Sequence, residues 1–307
     1  MSDLKINNIT DRTGDSGPVV AGVSTVTSTG AFTIPVGPTE MRGGRGRGVI
    51  AGGITPSDLN TMGYITIATT GNTTDFGDLV ADRLAAAAMA SSTRGIFAGG
   101  ADAPSDNDTT VIQYVTISSQ GGSSNFGDLQ QARAYIGGAS NNIRGLVFGG
   151  AIIPSPYTAI NSIEYITIAT TGDAADFGDL TEARRNVCAH SSTTRGIFAG
   201  GLNPGPAYVN TIDYITIATT GSIATFGELT AVVYATTSCS NSTRGVIMGG
   251  TNPSGATNVI DYVTIATTGD GKDFGDLTVA RSDGAGVASP TRGLMVGGET
   301  PSNDYLS

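Results

Sequence analysis

Thr194-Arg195-Gly196-Ile197-Phe198-Ala199-Gly200-Gly201 decides the fold, because close variants of it return at 93–100, 143–150, 243–250 and 291–298, with Arg47 to Gly53 opening the series. The six arginines, Arg47, Arg94, Arg144, Arg195, Arg244 and Arg292, step by 47, 50, 51, 49 and 48 residues. A fixed period near fifty residues marks a repeat architecture. After each of the first five Gly-Gly pairs comes a variable stretch, then a segment such as Tyr165-Ile166-Thr167-Ile168-Ala169-Thr170-Thr171-Gly172, then Asp176-Phe177-Gly178-Asp179-Leu180. The tyrosines are Tyr64, Tyr114, Tyr165, Tyr214 and Tyr262, and the phenylalanines Phe76, Phe126, Phe177, Phe226 and Phe274. Tyr and Phe keep an offset of 12 in every copy, so the turn between them has constant length.

Each unit reads as four strands, lettered a to d. In one copy these are a over 184–191, b over 195–201, c over about 212–218 and d around 226–229. The Tyr-Ile-Thr-Ile alternation is the period-two signal of a strand, filled with β-branched residues. The Ala-rich stretch 83–90 falls where other copies place strand a, and it too is read as strand. Short strands at regular spacing with Gly-rich turns indicate an all-β, radially repeated fold. With 45 glycines and 14% charged residues in 307, one large all-β body fits the composition.

An Arg before strand a, a strand b ending in Gly-Gly, a Tyr in strand c and an aromatic in strand d resemble kelch repeats over about residues 44–298. Kelch strand d usually carries Trp; this chain has no Trp, and Phe takes its place. The resemblance implies a kelch-like β-propeller. At the ends, Val23-Ser24-Thr25-Val26-Thr27-Ser28-Thr29-Gly30 aligns without a gap on Tyr165 to Gly172, and Thr39-Glu40-Met41-Arg42 on Thr181-Glu182-Ala183-Arg184. Residues 23–42 therefore read as a degenerate c–d pair and 281–298 as an a–b pair. Together they are expected to close a sixth blade, with residues 1–22 as a separate docking segment and 23–307 as the propeller. Because only 5 residues separate Arg42 from Arg47, the first unit has lost most of strand a. Five blades with an extra terminal strand is the alternative.

Charge and motifs narrow the function. The net charge of −10 makes nucleic acid a poor partner, and Arg42, Arg45 and Arg47 form only a short, Gly-spaced basic patch. The first ten residues lack an apolar signal core, and no apolar run approaches the ~18 residues of a membrane span, so no export and no membrane partner are expected. Cys188 and Cys239 read as two buried free thiols and the single histidine, His190, as a core residue, leaving no catalytic set and no cofactor. Asp102, Asp106 and Asp108 cluster in one copy only, which favours a solvated loop over a metal site.

Residues 5–37, including Ile6-Asn7-Asn8-Ile9-Thr10-Asp11-Arg12-Thr13-Gly14, resemble the N-terminal module of virion structural proteins of phages infecting marine cyanobacteria. The Tyr-Ile-Thr-Ile-Ala-Thr-Thr-Gly and Phe-Gly-Asp-Leu repeats are similar to propeller proteins of the same viruses. The resemblance implies a capsid decoration or tail fibre protein, assembled in the host cytoplasm and held to other virion proteins by its N-terminal segment. The alternative is an adhesin that binds a host surface glycan. Antiparallel strand order gathers the variable b–c loops on one face, where Tyr157 and Tyr208 are the expected glycan contacts. On the opposite face Arg94, Arg144, Arg195 and Arg244 are expected to form a structural ion-pair ring with Asp128, Asp179, Glu228 and Asp276.

Overall fold

A computed structural model describes residues 46–54, 59–102, 107–153, 157–221, 223–302 and 304–306. These residues contain no α-helix and form a β-propeller of five blades. The first blade has three strands, Arg47–Ala51 (b), Thr61–Thr66 (c) and Thr74–Asp78 (d). The next four have the full a-b-c-d meander, as in Cys188–Ser191, Arg195–Ala199, Thr211–Thr216 and Ala224–Glu228 of the fourth. A further two-stranded sheet, Ala285–Ala288 with Gly293–Val296, supplies an a–b pair after the fifth blade. The expected partner of that pair, residues 23–42, lies outside the described residues, as do residues 1–22, so the sixth blade is not among the five.

Strand a is shorter than the sequence suggests. It begins at Cys188 rather than Arg184, and in the Ala-rich copy it covers Ala87–Ala90. The preceding residues are held instead by single bridges to the b–c loops, such as Arg185 with Leu202 and Leu84 with Ala101. At the end of strand b the chain turns through Gly200 and Gly201, with φ of 64° and 104°. A side chain at Gly200 would collide with the backbone carbonyl of Val233, which is 2.5 Å from the position of its Cβ. Glycine therefore meets both a left-handed turn and a close backbone approach here.

The core sits between blades. In the third blade Leu146, Phe148, Ile163, Tyr165, Phe177 and Leu180 share one sheet face and pack against Phe198, Ile215 and Ile217 of the fourth. The fourth blade repeats this against Ile247, Val263 and Ile265, and the first against Phe97 and Val115. Period-two alternation thus gives the fourth blade two apolar faces, with Ile212 and Tyr214 of strand c packed towards the fifth blade and Ile215 and Ile217 towards the third. Within a blade the Tyr ring of strand c meets the Phe ring of strand d edge to face, as for Tyr165 and Phe177 at 6.1 Å.

Around the axis the blades are stitched by repeated hydrogen bonds. The hydroxyls of Ser140, Ser191 and Ser240 donate to the carbonyls of Ala90, Ser140 and Ser191, each in the preceding blade, at 2.7–2.8 Å. One turn earlier in the chain, the N–H groups of Tyr135, Asn186, Ala235 and Asp283 donate to the carbonyls of Ala85, Tyr135, Asn186 and Ala235. These residues all hold φ between 53° and 57°, a conformation uncommon outside glycine that the flanking hydrogen bonds fix.

Candidate functional site

The loop face of the ring is assembled by the b–c loops and the linkers that enter strand a, and bridges from Ala134 to Ala151 and from Tyr234 to Thr251 place the two side by side. Tyr157 projects from the b–c loop of the third blade and is 45% exposed. Its ring meets Tyr135 edge to face at 5.9 Å, and the Arg185 guanidinium lies 5.0 Å from its centroid. Arg185 pairs through its backbone with Leu202, which pairs in turn with Tyr208 in the loop of the fourth blade. Tyr208 is half-buried, with its ring 5.1 Å from that of Tyr234. Burial raises the Tyr234 hydroxyl above its ordinary pKa, with Tyr208 adding to the effect and Arg185 opposing it.

The two tyrosines singled out from the sequence therefore belong to one surface, joined by Arg185 and backed by Tyr135 and Tyr234. Sequence reasoning missed these last three because they fall in the stretch read as strand a, which the structure shows to be the linker before it. Tyr305 extends the pattern, since it bridges Glu299 as Tyr208 bridges Leu202, and it is exposed. Five tyrosines and one arginine present flat apolar faces, hydroxyls and a fixed cation over neighbouring loops. That chemistry suits sugar rings and hydroxyl- or carboxylate-bearing ligands.

The expected ion-pair ring does not form. Arg195 faces Thr216 at one end of strand c, while Glu228 faces Thr211 at the other, roughly 16 Å away at the rise of a strand. The same register separates Arg94 from Asp128, Arg144 from Asp179 and Arg244 from Asp276. Each of these arginines stacks over the Tyr of its own strand c, at 4.4–4.6 Å. Arg94, Arg144 and Arg195 then donate to the carbonyls of Ile168, Ile217 and Ile265 in the following blade, at 2.9–3.0 Å. Blades are tied by charge-assisted bonds to backbone, with carboxylates elsewhere: Asp128 accepts from Thr110 and Glu228 from Asn210.

The ion pairs among the described residues are Arg133 with Glu164 and Arg184 with Asp213, all four side chains buried. Each arginine enters from the linker before strand a and also donates to a strand-end carbonyl, as Arg184 does to Thr211 at 3.0 Å. Burial lowers the Arg133 pKa and raises that of Asp213, against the opposing pull of their partners. In the fifth blade Val233 replaces the arginine, and Asp261 accepts from Thr230 instead.

His190, Cys188 and Cys239 are buried, and both cysteines are free. Four of the five strands a send one side chain into the space above a strand b glycine of the next blade: Met89 at Gly145, His190 at Gly245, Cys239 at Gly293 and Val287 at Gly48. Burial pushes the Cys239 thiol up to about 11. Asp108 accepts from the Ile153 N–H at 2.6 Å, so it braces the neighbouring loop. Among the described residues no three His, Cys, Asp or Glu side chains are placed to hold a metal ion, and no helix is long and apolar enough to cross a membrane. No protein-family model and no curated protein matches the chain.

Proposed function

We propose that the protein is a virion structural component, a decoration or fibre protein, whose loop face attaches to carbohydrate on a host surface. The observation that carries the attachment role is the continuous Tyr135–Tyr157–Arg185–Tyr208 surface on a stitched, rigid ring. Sugar rings present C–H faces that stack on tyrosine, and Arg185 offers a planar donor fork to hydroxyls or a carboxylate. A rigid platform lowers the ordering cost of binding. The virion assignment is supported by the resemblance carried by residues 5–37; the N-terminal segment 1–22 would fasten the ring to other virion proteins and leave the loops outward.

The test is binding of purified protein to host cells and to a glycan array, comparing the native chain with Tyr157→Ala/Tyr208→Ala and with Arg185→Ala. The variants are expected to keep the native melting temperature and lose binding at least tenfold. Unchanged binding by both variants overturns the attachment role.

A further inference from the structure

We propose that the loop face takes an acidic carbohydrate, a glycan whose carboxylate binds Arg185 while its sugar rings lie against Tyr157 and Tyr208. This inference rests on the attachment role proposed above and names the class of ligand that role requires.

Arg185 differs from the repeat arginines beside it in what it touches. Arg83, Arg133, Arg184 and Arg281 each donate to the glycine carbonyl that ends strand b, at 2.8–3.3 Å. Arg133 and Arg184 also hold buried carboxylates. Arg185 follows Arg184 directly, so in extended chain its side chain leaves on the opposite side. Its guanidinium makes no hydrogen bond and no ion pair among the described residues, and lies over the Tyr157 ring, 5.0 Å from the centroid. Stacking occupies the flat face of a guanidinium and leaves the N–H donors along its edge available.

In a chain of net charge −10, a half-buried guanidinium without a carboxylate is the exception. The cause is local. Segments 151–161 and 202–210, which carry Tyr157 and Tyr208 on either side of Arg185, contain no Asp, Glu, Lys or Arg. Glu182, the nearest acid along the chain, is exposed and forms no pair with it among the described residues. The acids of other b–c segments, Asp102, Asp106 and Asp108 before this sector and Glu299 and Asp304 after it, belong to other blades. Arg185 is therefore a positive charge set in a neutral sector of an acidic chain, and its complement is an anionic ligand.

Two braced rings flank it. Tyr157 is held edge to face by Tyr135. On the other side Arg185 bridges Leu202 and Leu202 bridges Tyr208, so the Cα atoms of Arg185 and Tyr208 stand about 10 Å apart across two strand spacings. Tyr234 follows Val233 as Arg185 follows Arg184, and it rests on Tyr208 as Arg185 rests on Tyr157. A ligand crossing from Tyr157 to Tyr208 meets ring, guanidinium and ring, which matches sugar rings bearing a carboxylate. A planar carboxylate fills the guanidinium fork with both oxygens. A sulfate or phosphate ester adds a third oxygen, and neither loop holds a second cation to meet it.

The experiment measures binding of the purified full chain to an array of uronate oligosaccharides, the same oligosaccharides after carboxyl reduction, sulfated oligosaccharides and polyglutamate. Uronate binding is expected, weakened about tenfold or more by carboxyl reduction and by Arg185→Gln. The affinity of the native chain should fall as salt rises, and that of Arg185→Gln should not. Equal binding of the reduced forms, or stronger binding of the sulfated ones, overturns the carboxylate assignment and leaves the attachment role standing. Polyglutamate bound as tightly as uronate shows an acidic peptide ligand and also overturns it. Binding to no glycan and to no host cell overturns the attachment role as well. If Arg185→Gln loses the native melting temperature, the carboxyl-reduction and salt comparisons on the native chain decide.

Discussion

The Arg292 guanidinium donates to the carbonyl oxygen of Ile67 at 3.0 Å, across 225 residues of chain. The same bond links neighbouring blades elsewhere at separations of 70–74 residues, from Arg47 to Ile117 through Arg195 to Ile265. One repeated interaction thus ties the last strand to the first blade. Arg292→Ala is expected to cost about 1 kcal/mol, the worth of a part-exposed charge-assisted bond, and to speed amide exchange in the first blade. Arg144→Ala, which also loses its stack on Tyr165, should cost about twice that in urea unfolding. Equal exchange rates in the native chain and Arg292→Ala contradict this account of closure.

The Arg184–Asp213 pair separates net worth from the cost of breaking it. Asp213→Ala leaves a buried guanidinium without its carboxylate and should destabilise by about 3–5 kcal/mol, whereas Arg184→Met/Asp213→Leu should fall well below the sum of the two single changes. Additive losses in denaturant titrations would show that the two side chains act independently.

The glycine seat under His190 makes a sharper prediction. A Cβ on Gly245 collides with the His190 imidazole, so Gly245→Ala should cost about 1–3 kcal/mol through overpacking. Adding His190→Ala should recover part of that loss, because the methyl then enters the vacated space. A thermal melt in which the double variant is less stable than both single variants excludes the knob-and-seat packing.

Cys239 gives a pH dependence. Its thiol sits at about 11 in the folded chain against an ordinary 9.0, so the unfolded state releases this proton first. The resulting stability is fully present below pH 9 and is lost as the pH rises towards 11, by up to roughly 2–3 kcal/mol. Cys239→Ala should flatten that part of the stability profile. A profile between pH 9 and 11 that is the same with and without the thiol contradicts it.

The blades were legible because the period-two pattern, the Gly-Gly turn and the Tyr–Phe offset each have one local cause. The Arg–carboxylate ring was misread because facing charges were judged from strand direction alone. The register sets Arg195 and Glu228 at opposite ends of strand c, and the guanidinium finds a ring and a neighbouring carbonyl instead. The real pairs had a signal: Glu164 and Asp213 stand one residue before the repeat tyrosine, and the repeat arginine before strand a is replaced at Val233. On the loop face Tyr157 and Tyr208 were found as aromatics in variable loops. Arg185 was not, because what makes it part of the surface is a cross-blade contact that no spacing within one repeat encodes.

The most direct measurement is a cryo-EM map of purified particles into which the ring is placed. The account predicts ring density on the capsid or tail with Tyr157, Arg185 and Tyr208 facing outward and the N-terminal segment against another virion protein. A ring absent from the particle, or one whose loop face is buried against another virion protein, would contradict it.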